Sequence, residues 1–420
     1  MSKLVITDYS SAEGTRSFPV RQQPATDGIG AYQLPSTVSI HGSDTIRFGF
    51  RAEESSEESD GVYRSLKMLC AYPEGFYGDR TPLPSELDAR DLATLFVGHL
   101  VQVGQEAASR YAARFDAEPS FGITLGVPMA QLDDETLQRR FVEIAREAFD
   151  LRSHIDLLHN DVTTAAASSA LRAVRQAQGD TPISEPRDWV RSEAEAALFW
   201  AHSSPDIPPG RYSCVDVGAG TTSASWFHIT ANQENVKERL SFYGAACAPP
   251  GCDAIDADLA EALGLPTRAE VRGRETDILS RLPATGRGAI APTLDEIANV
   301  YGAASTAAFK KEMSTKAWKE IGQVFFPGGG SKIEAVCQRL IKQKRDWLQP
   351  SAVAELEAPA DLVEEDGEDL REDPTFLLVA YGLARRLADV PDTFRPIEVS
   401  DFQPAFPTRE RNRHEDIYSR

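Results

Sequence analysis

The sequence predicts an α/β fold, and three observations support that prediction. Strand-like and helix-like segments alternate along most of the chain. The 420 residues are more than one ordinary hydrophobic core organises, and they suit two lobes. Glycine-rich turns follow two of the predicted strands, where the backbone can approach a ligand closely. We therefore expect an α/β chain that folds as two lobes.

Composition and charge exclude several classes of protein. The chain is 41% hydrophobic and 26% charged, which is typical of a globular protein. No segment approaches the roughly 20 apolar residues of a membrane span, and the start of the chain turns polar without the apolar core of a signal peptide. A formal net charge of -20 argues against a phosphate-binding surface for nucleic acid. A soluble protein without a membrane or nucleic-acid partner is expected.

The cysteines indicate a reducing compartment. Five cysteines are scattered along the chain, and Cys247 and Cys252 form the one close pair. An odd number without a second pair favours neither a disulfide framework nor a zinc site. We expect a cytoplasmic protein.

Two acidic runs stand out, Glu53–Asp60 and Glu364–Asp373. Such runs are usually solvated loops. A docking site for a basic partner protein is the alternative.

The first part of the chain predicts strands and helices in turn. A strand at Lys3–Asp8 is followed by short strands within Leu34–Phe50. Leu92–Phe115 is expected to be a helix, and Phe121–Val127 a strand. Apolar residues at helical spacing from Leu132 to Ala148 predict another helix.

The next segments are less regular. The stretch from Asp150 to Glu185 is polar and rich in Ala and Ser, and it is expected to be mixed or loop-like. Trp189–Ala201 has the spacing of an amphipathic helix, with Glu193 on its apolar face. A carboxylate there needs a partner, because burying it alone costs several kcal/mol, roughly. Either a satisfied core carboxylate or a functional residue explains it.

A proline-rich break at Ser203–Gly210 is expected to lead from one lobe to the other.

The first glycine turn lies between two predicted strands. One strand ends at Asp216, and Gly218 and Gly220 form a tight turn before a second strand at Ala224–Ile229. Backbone N–H groups in such a turn can bind an anion. Asp216 is placed to hold a magnesium ion through water.

Three further segments contain glycine. After an apolar strand, Gly328-Gly329-Gly330 precedes a predicted helix with Ser331 as its N-cap. Gly251 opens another helix, which Gly264 ends. In the helix predicted after Asp373, Gly382 is expected to allow close approach of a neighbour.

The order of these segments resembles that of the ATPase domain of DnaK-type heat-shock chaperones, within the actin/heat-shock-chaperone ATPase superfamily. The resemblance extends over about residues 3 to 388. It is based on the following motifs in order: the strand-end Asp8, Ser192-Glu193-Ala194-Glu195-Ala196-Ala197-Leu198, Asp216-Val217-Gly218-Ala219-Gly220-Thr221, Gly251-Cys252-Asp253-Ala254-Ile255-Asp256, Gly328-Gly329-Gly330-Ser331-Lys332-Ile333 and Ala380-Tyr381-Gly382.

The resemblance implies a two-lobed actin-like ATPase fold with a nucleotide cleft between the lobes, binding ATP and Mg²⁺. Residues 1–204 would form lobe I, joined by a returning helix at 373–390, and residues 205–372 would form lobe II. Residues 391–420 would be a C-terminal tail, too short for the chaperones' peptide-binding domain. The roles that it implies are catalytic for Asp216, Glu193 and Asp8; metal-binding for Asp8 and Asp216; and nucleotide-binding for Gly218, Gly220, Thr221, Gly251, Gly328, Gly329, Lys332 and Lys67.

Two departures from the family pattern bear on hydrolysis. Tyr9-Ser10-Ser11 replaces the Gly-Thr that the chaperones have after the first acid, and Ser223 replaces a second acid. Positioning and charge dominate phosphoryl transfer, so such losses can remove turnover and leave binding intact.

The leading hypothesis is therefore a slowly hydrolysing, Mg-dependent nucleotide switch that acts on a partner protein. The alternatives are a hydrolysis-deficient interaction module of the same fold and an ATP-dependent, actin-like or ParM-like filament protein. A sugar or acetate kinase is a weaker option, since no separate acid for a small substrate is evident.

Overall fold

The computed structural model describes residues 1–10, 14–22, 30–42, 44–71, 83–179, 185–204, 206–231, 237–265, 270–281, 283–311, 321–342, 353–354, 356–370 and 374–399. These residues form a mixed α/β protein with several sheets, which confirms the α/β part of the predicted fold class.

The strands of the described residues belong to four sheets. They are β1 (Val5–Asp8), β2 (Arg16–Pro19), β3 (Val38–His41), β4 (Thr45–Phe48), β5 (Gly61–Tyr63), β6 (Leu125–Val127), β7 (Val162–Thr163), β8 (Val190–Ser192), β9 (Gly210–Val217), β10 (Thr222–Ala231), β11 (Lys237–Ala248), β12 (Ile321–Phe325) and β13 (Asp392–Phe394). The strand orders are β1-β2, β5-β3-β4-β7, β6-β8 and β12-β9-β10-β11-β13.

The α-helices of the same residues pack around these sheets. They are α1 (Gly49–Glu54), α2 (Leu66–Ala71), α3 (Ala89–Ala113), α4 (Met129–Leu132), α5 (Glu135–Leu151), α6 (Thr164–Gln178), α7 (Glu193–Ser203), α8 (Cys252–Leu263), α9 (Glu275–Arg281), α10 (Pro283–Lys311), α11 (Glu334–Ile341) and α12 (Leu378–Leu383). Short 3₁₀ turns at Gly329–Lys332 and Pro374–Leu377 precede α11 and α12.

The five-stranded sheet is buried on both faces. β9, β10 and β11 form an antiparallel meander, while β12 is parallel to β9 and β13 to β11. Consecutive residues of β10 enter different hydrophobic clusters, Trp226 with residues of α8 and α10, and Phe227 with residues of α4 and α7. Side chains of a strand alternate between faces, so this sheet separates two parts of the core.

A separate cluster holds the N-terminal half of the chain. Side chains of α3, α5 and α6 pack against β3 and β4, with Leu92, Leu95 and Phe141 almost fully buried. Asp88 begins α3 with a capping box that it forms with Asp91. The helix predicted at Leu92–Phe115 is confirmed.

The stretch from Asp150 to Glu185, expected to be mixed or loop-like, combines irregular segments with α6, because Thr163 caps its first turn and Ala167, Leu171 and Val174 bury one helical face. The helix predicted from Trp189 begins at Glu193 instead, since residues 190–192 pair with β6 as a strand. Glu193 therefore lies at a helix N-terminus, where the helix dipole favours a carboxylate.

Ser331 is not a helix N-cap. It belongs to the 3₁₀ turn and donates its hydroxyl to the Gly328 carbonyl at 2.7 Å, and Ile333 is the N-cap residue of α11. The three glycines and Ser331 thus form a compact turn, and α11 starts only after it.

Gly382 has the role that the sequence predicts. A Cβ atom at this position would collide with the backbone carbonyl of Ala196 in α7. The residue lies in α12, so the absence of a side chain lets α12 and α7 pack in direct backbone contact.

The segment that contains β13 joins distant elements. Lys311, at the end of α10, donates to the carbonyls of Pro396 and Val399 at 2.5 and 2.7 Å. Arg395 donates to the carbonyl of Leu132 at 2.8 Å. The rest of the predicted tail, residues 400–420, lies outside the described residues.

All five cysteines are free. No described helix combines the length and the apolar character that a membrane crossing requires.

Candidate functional site

A cavity of about 1750 Å³ contains most of the predicted site residues. Its wall is built from the β9–β10 turn, the starts of α2, α7 and α8, the glycine turn after β12, and β1. Elements distant in sequence therefore meet at one cavity, as is usual for ligand sites.

The turn between β9 and β10 presents its amides in one direction. The amides of Cys252 and Asp253, at the start of α8, donate to the carbonyls of Gly218 and Ala219 at 2.8 Å each. In a planar trans peptide the N–H points opposite to the C=O. The amides of Ala219 and Gly220 therefore point away from α8, and neither donates to any described residue.

Gly251 and Gly330 stabilise this turn from outside the cavity. A Cβ at Gly251 would lie 2.5 Å from the carbonyl oxygens of Gly218 and Ala219, and one at Gly330 would lie 2.5 Å from Val217. Gly251 does not line the cavity. The prediction that Gly251 contacts the ligand is therefore wrong. Gly251 instead packs closely against the turn and orients it.

Asp216 lies one residue before the end of β9, at the wall of the cavity. Burial and the charge of Glu193 raise the pKa of its carboxyl to about 6, against the opposing charges of Lys3 and Lys67. The carboxylate packs against Gly328, whose φ of +88° is a conformation that favours glycine. Asp216 is thus mainly ionised at neutral pH, and it becomes protonated as the pH falls below about 6.

Glu193 and Lys67 form an ion pair across the cavity. Glu193 is the first residue of α7, and Lys67 lies in α2 with its ammonium also 3.5 Å from the Gly126 carbonyl. Burial acts to lower the pKa of Lys67, but the charge of Glu193 and its hydrogen bond raise it overall. The sequence indicates that the Glu193 carboxylate needs a partner, and in the structure that partner is Lys67.

Ser65 positions the start of α2 next to the glycine turn. It has a φ of +51°, which is uncommon for a residue with a side chain. A Cβ at Gly220 would collide with the Ser65 hydroxyl, so the two segments are in close contact. This contact holds the start of α2, which carries Lys67, against the glycine turn.

Lys3 also lies at the cavity, and no motif in the sequence predicts it. Its side chain is half-buried, and its electrostatic partners are Asp216 and Glu193, with Lys67 as a repelling neighbour. Burial lowers the pKa of Lys3 more than the two carboxylates raise it. No local pattern around Lys3 indicates this placement, which depends on how β1 pairs with β2.

Another part of the cavity wall combines glycine backbone with charged side chains. Gly328, Gly329 and Lys332 line it, and the Lys332 ammonium lies 5.1 Å from the centre of the Phe376 ring. Arg272 donates to Asp253 at 3.1 Å. Gly328, Gly329 and Lys332 thus line the same cavity as the β9–β10 turn.

Two more acids, Asp256 and Glu275, line the cavity. Asp256 is almost fully buried and forms a hydrogen bond with Glu275, and burial raises the pKa of Asp256. Neither residue was predicted from the sequence, because they are 19 positions apart and lie in different helices.

The structure does not bring Asp8 together with these residues. Thr7 and Tyr9 line the cavity, whereas Asp8 does not. Its carboxylate accepts hydrogen bonds from the Ser10 amide, the Ser10 hydroxyl and the Tyr111 hydroxyl. Burial acts to raise the pKa of Asp8, but these hydrogen bonds lower it overall.

The metal ligands implied by the resemblance therefore reduce to one cavity residue, Asp216. The described residues contain no group of three or more His, Cys, Asp or Glu side chains arranged for a metal ion. Mg²⁺ commonly takes only one or two protein carboxylates and completes its shell with water and phosphate oxygens. Asp216, with Glu193 nearby, fits that kind of site.

Comparison with known proteins identifies no relative: no family model and no curated protein matches the chain.

Proposed function

We propose that the protein is a two-lobed, actin-like, DnaK-like nucleotide switch that binds Mg·ATP in this cavity, hydrolyses it slowly and acts on a partner protein. The observation that carries the proposal is the β9–β10 turn. Two consecutive amides without an acceptor among the described residues point away from α8, and Lys67 lines the same cavity. Adjacent amides and a lysine are the groups that bind phosphate oxygens.

The other groups of the cavity support the same ligand. The volume of about 1750 Å³ has room for a nucleotide. Gly328, Gly329 and Lys332, which line the same cavity, would border the nucleoside. Mg²⁺, held through Asp216, would neutralise charge on the phosphates.

Asp216 is the residue best placed to act on an attacking water. Its carboxylate is ionised above about pH 6 and can accept a hydrogen bond from water. Glu193 is already paired with Lys67, so its charge is largely balanced. We therefore expect slow turnover, with Asp216 supplying the base and Glu193 orienting Lys67.

The Asp216→Asn variant tests this function. Removing the carboxylate should reduce ATP turnover by about a hundred-fold or more, since general-base catalysis typically contributes that much. Phosphate release measures turnover, and calorimetry measures binding of Mg·ATP. The control is Glu261→Gln, which neutralises an exposed carboxylate on α8. Failure of the wild-type protein to bind ATP at millimolar nucleotide would exclude the proposal.

The ion pair between Glu193 and Lys67 favours one alternative, a hydrolysis-deficient interaction module. With Glu193 balanced and Ser223 at the cavity in place of an acid, Asp216 is the one predicted catalytic carboxylate at the cavity that has no ion pair among the described residues. Binding of Mg·ATP without phosphate release in a single-turnover experiment would support this alternative. A filament protein remains a prediction from the sequence, and ATP-dependent pelleting tests it.

A further inference from the structure

Lys3 is held by the backbone on both sides. The amide of Ser2 donates to the Leu34 carbonyl at 2.7 Å, and the Leu34 amide donates back to Ser2 at 2.9 Å. The amide of Val20 donates to the Leu4 carbonyl at 2.9 Å. The position from which the Lys3 side chain enters the cavity is therefore fixed.

The Lys3 side chain has no ion-pair partner within the described part of the chain. The Lys67 ammonium is bound to Glu193, whereas Lys3 is influenced by Asp216 and Glu193 only at longer range. The Lys3 ammonium also lies 6.0 Å from the centre of the Phe376 ring, the ring that Lys332 approaches from the same cavity. A half-buried ammonium without a bound carboxylate is available to a ligand.

We propose that Lys3 is a phosphate-binding residue of this site, donating to the polyphosphate of a nucleotide beside the β9–β10 turn. This inference rests on the proposed function and adds a contact that the sequence motifs do not contain. Lys67 is shared with Glu193, so Lys3 supplies the uncommitted positive charge. This charge compensates for the sequence after Asp8, where residues with side chains replace the glycine that would let the backbone approach phosphate.

Inorganic tripolyphosphate tests the contact without a nucleoside and, in the presence of a chelator, without a metal ion. We expect Lys3→Met to weaken tripolyphosphate binding by roughly ten- to a hundred-fold, the range for losing a charge-assisted hydrogen bond. Lys3→Arg should restore most of the affinity. The effect should increase from adenosine to AMP, ADP and ATP. Lys310→Met, which alters an exposed lysine of α10, is the matched control.

The background of the Asp216→Asn variant separates a direct contact from an indirect one. If Lys3 contacts phosphate, Lys3→Met weakens tripolyphosphate binding in that background as well. If Lys3 acts only by balancing Asp216, the effect disappears, and the inference is overturned. It is also overturned if Lys3→Met binds tripolyphosphate as tightly as the wild type.

Failure of the proposed function gives a different result. A wild-type protein that binds tripolyphosphate through Lys3 but does not bind ATP would exclude the nucleotide switch and keep the phosphate site. A wild-type protein that binds neither would exclude both. Thermal melts of each variant check folding, and Lys3→Gln, neutral and polar, replaces Lys3→Met if the latter does not fold.

Discussion

At the residue scale, the cavity combines charges that control one another. Asp216 lies among Glu193, Lys3 and Lys67, and its pKa reflects all three together with burial. The ordinary pKa of an aspartate gives no indication of this environment. Perturbed carboxyls are common at functional sites, and this supports the choice of Asp216 as the acting residue.

Asp256 makes the stability of the fold depend on pH in an unusual direction. Burial and the hydrogen bond with Glu275 raise the pKa of Asp256, while Arg272 lowers it and Asp253 raises it further. The folded protein then holds a proton that the unfolded chain releases above about pH 4. Because the native state binds more protons, the free energy of unfolding falls as the pH rises through that window.

We therefore predict that Asp256→Asn reduces the loss of stability between about pH 5 and about pH 8. Asparagine stays neutral and can still donate to Glu275. Thermal melts across this range, compared with Glu261→Gln as a control, measure the effect. Parallel curves for the wild type and Asp256→Asn would show that the Asp256–Glu275 pair is not the source of the pH dependence.

At the element scale, close backbone contacts decide how the cavity wall is assembled. Gly382 lets α12 lie directly against α7, whose first residue is Glu193. Gly251 and Gly330 do the same for the β9–β10 turn. These glycines are needed because neighbouring backbone occupies the space of a side chain, and not because their own φ values are positive.

Gly382→Ala should destabilise the protein by about 1–3 kcal/mol, the usual cost of overpacking. The matched control is Gly288→Ala in α10, an exposed helical glycine with open space around it. That change should stabilise the helix by about 0.5–1 kcal/mol. Denaturant titration measures both values. An equal effect of the two substitutions would contradict the direct contact between α12 and α7.

At the scale of the whole molecule, the segment around β13 connects parts of the chain that belong to different hydrophobic clusters. It pairs with β11, accepts two hydrogen bonds from Lys311 of α10, and donates through Arg395 to Leu132 at the end of α4.

We predict that Lys311→Met loosens this segment. Losing two hydrogen bonds from a charged donor should cost about 1.5–3 kcal/mol. The melting temperature should fall, and chymotrypsin should cleave after the exposed Phe394 more rapidly than in the wild type. Lys310→Met removes the adjacent exposed lysine and should leave both measurements unchanged. If the two variants behave alike, the contacts of Lys311 do not hold the segment.

The sequence by itself determined the α/β class, the long helix α3, the strand–turn–strand around Asp216 and the close approach of a neighbour at Gly382. Local rules govern these features: the period of apolar residues, the preference of glycine for tight turns and the capping of helices. It also selected Glu193, Lys67 and the glycine turns, although the family resemblance was required to connect them.

Only the tertiary structure decided which residues meet. In the structure, Glu193 lies at a helix N-terminus and pairs with Lys67, whereas the sequence predicted it on an apolar helix face. Asp8, which was predicted at the site, lies outside the cavity. The tertiary structure also added Lys3, because strand pairing and not local sequence places that side chain. Contacts between residues far apart in the chain depend on the packing of whole elements, and local patterns do not contain that information.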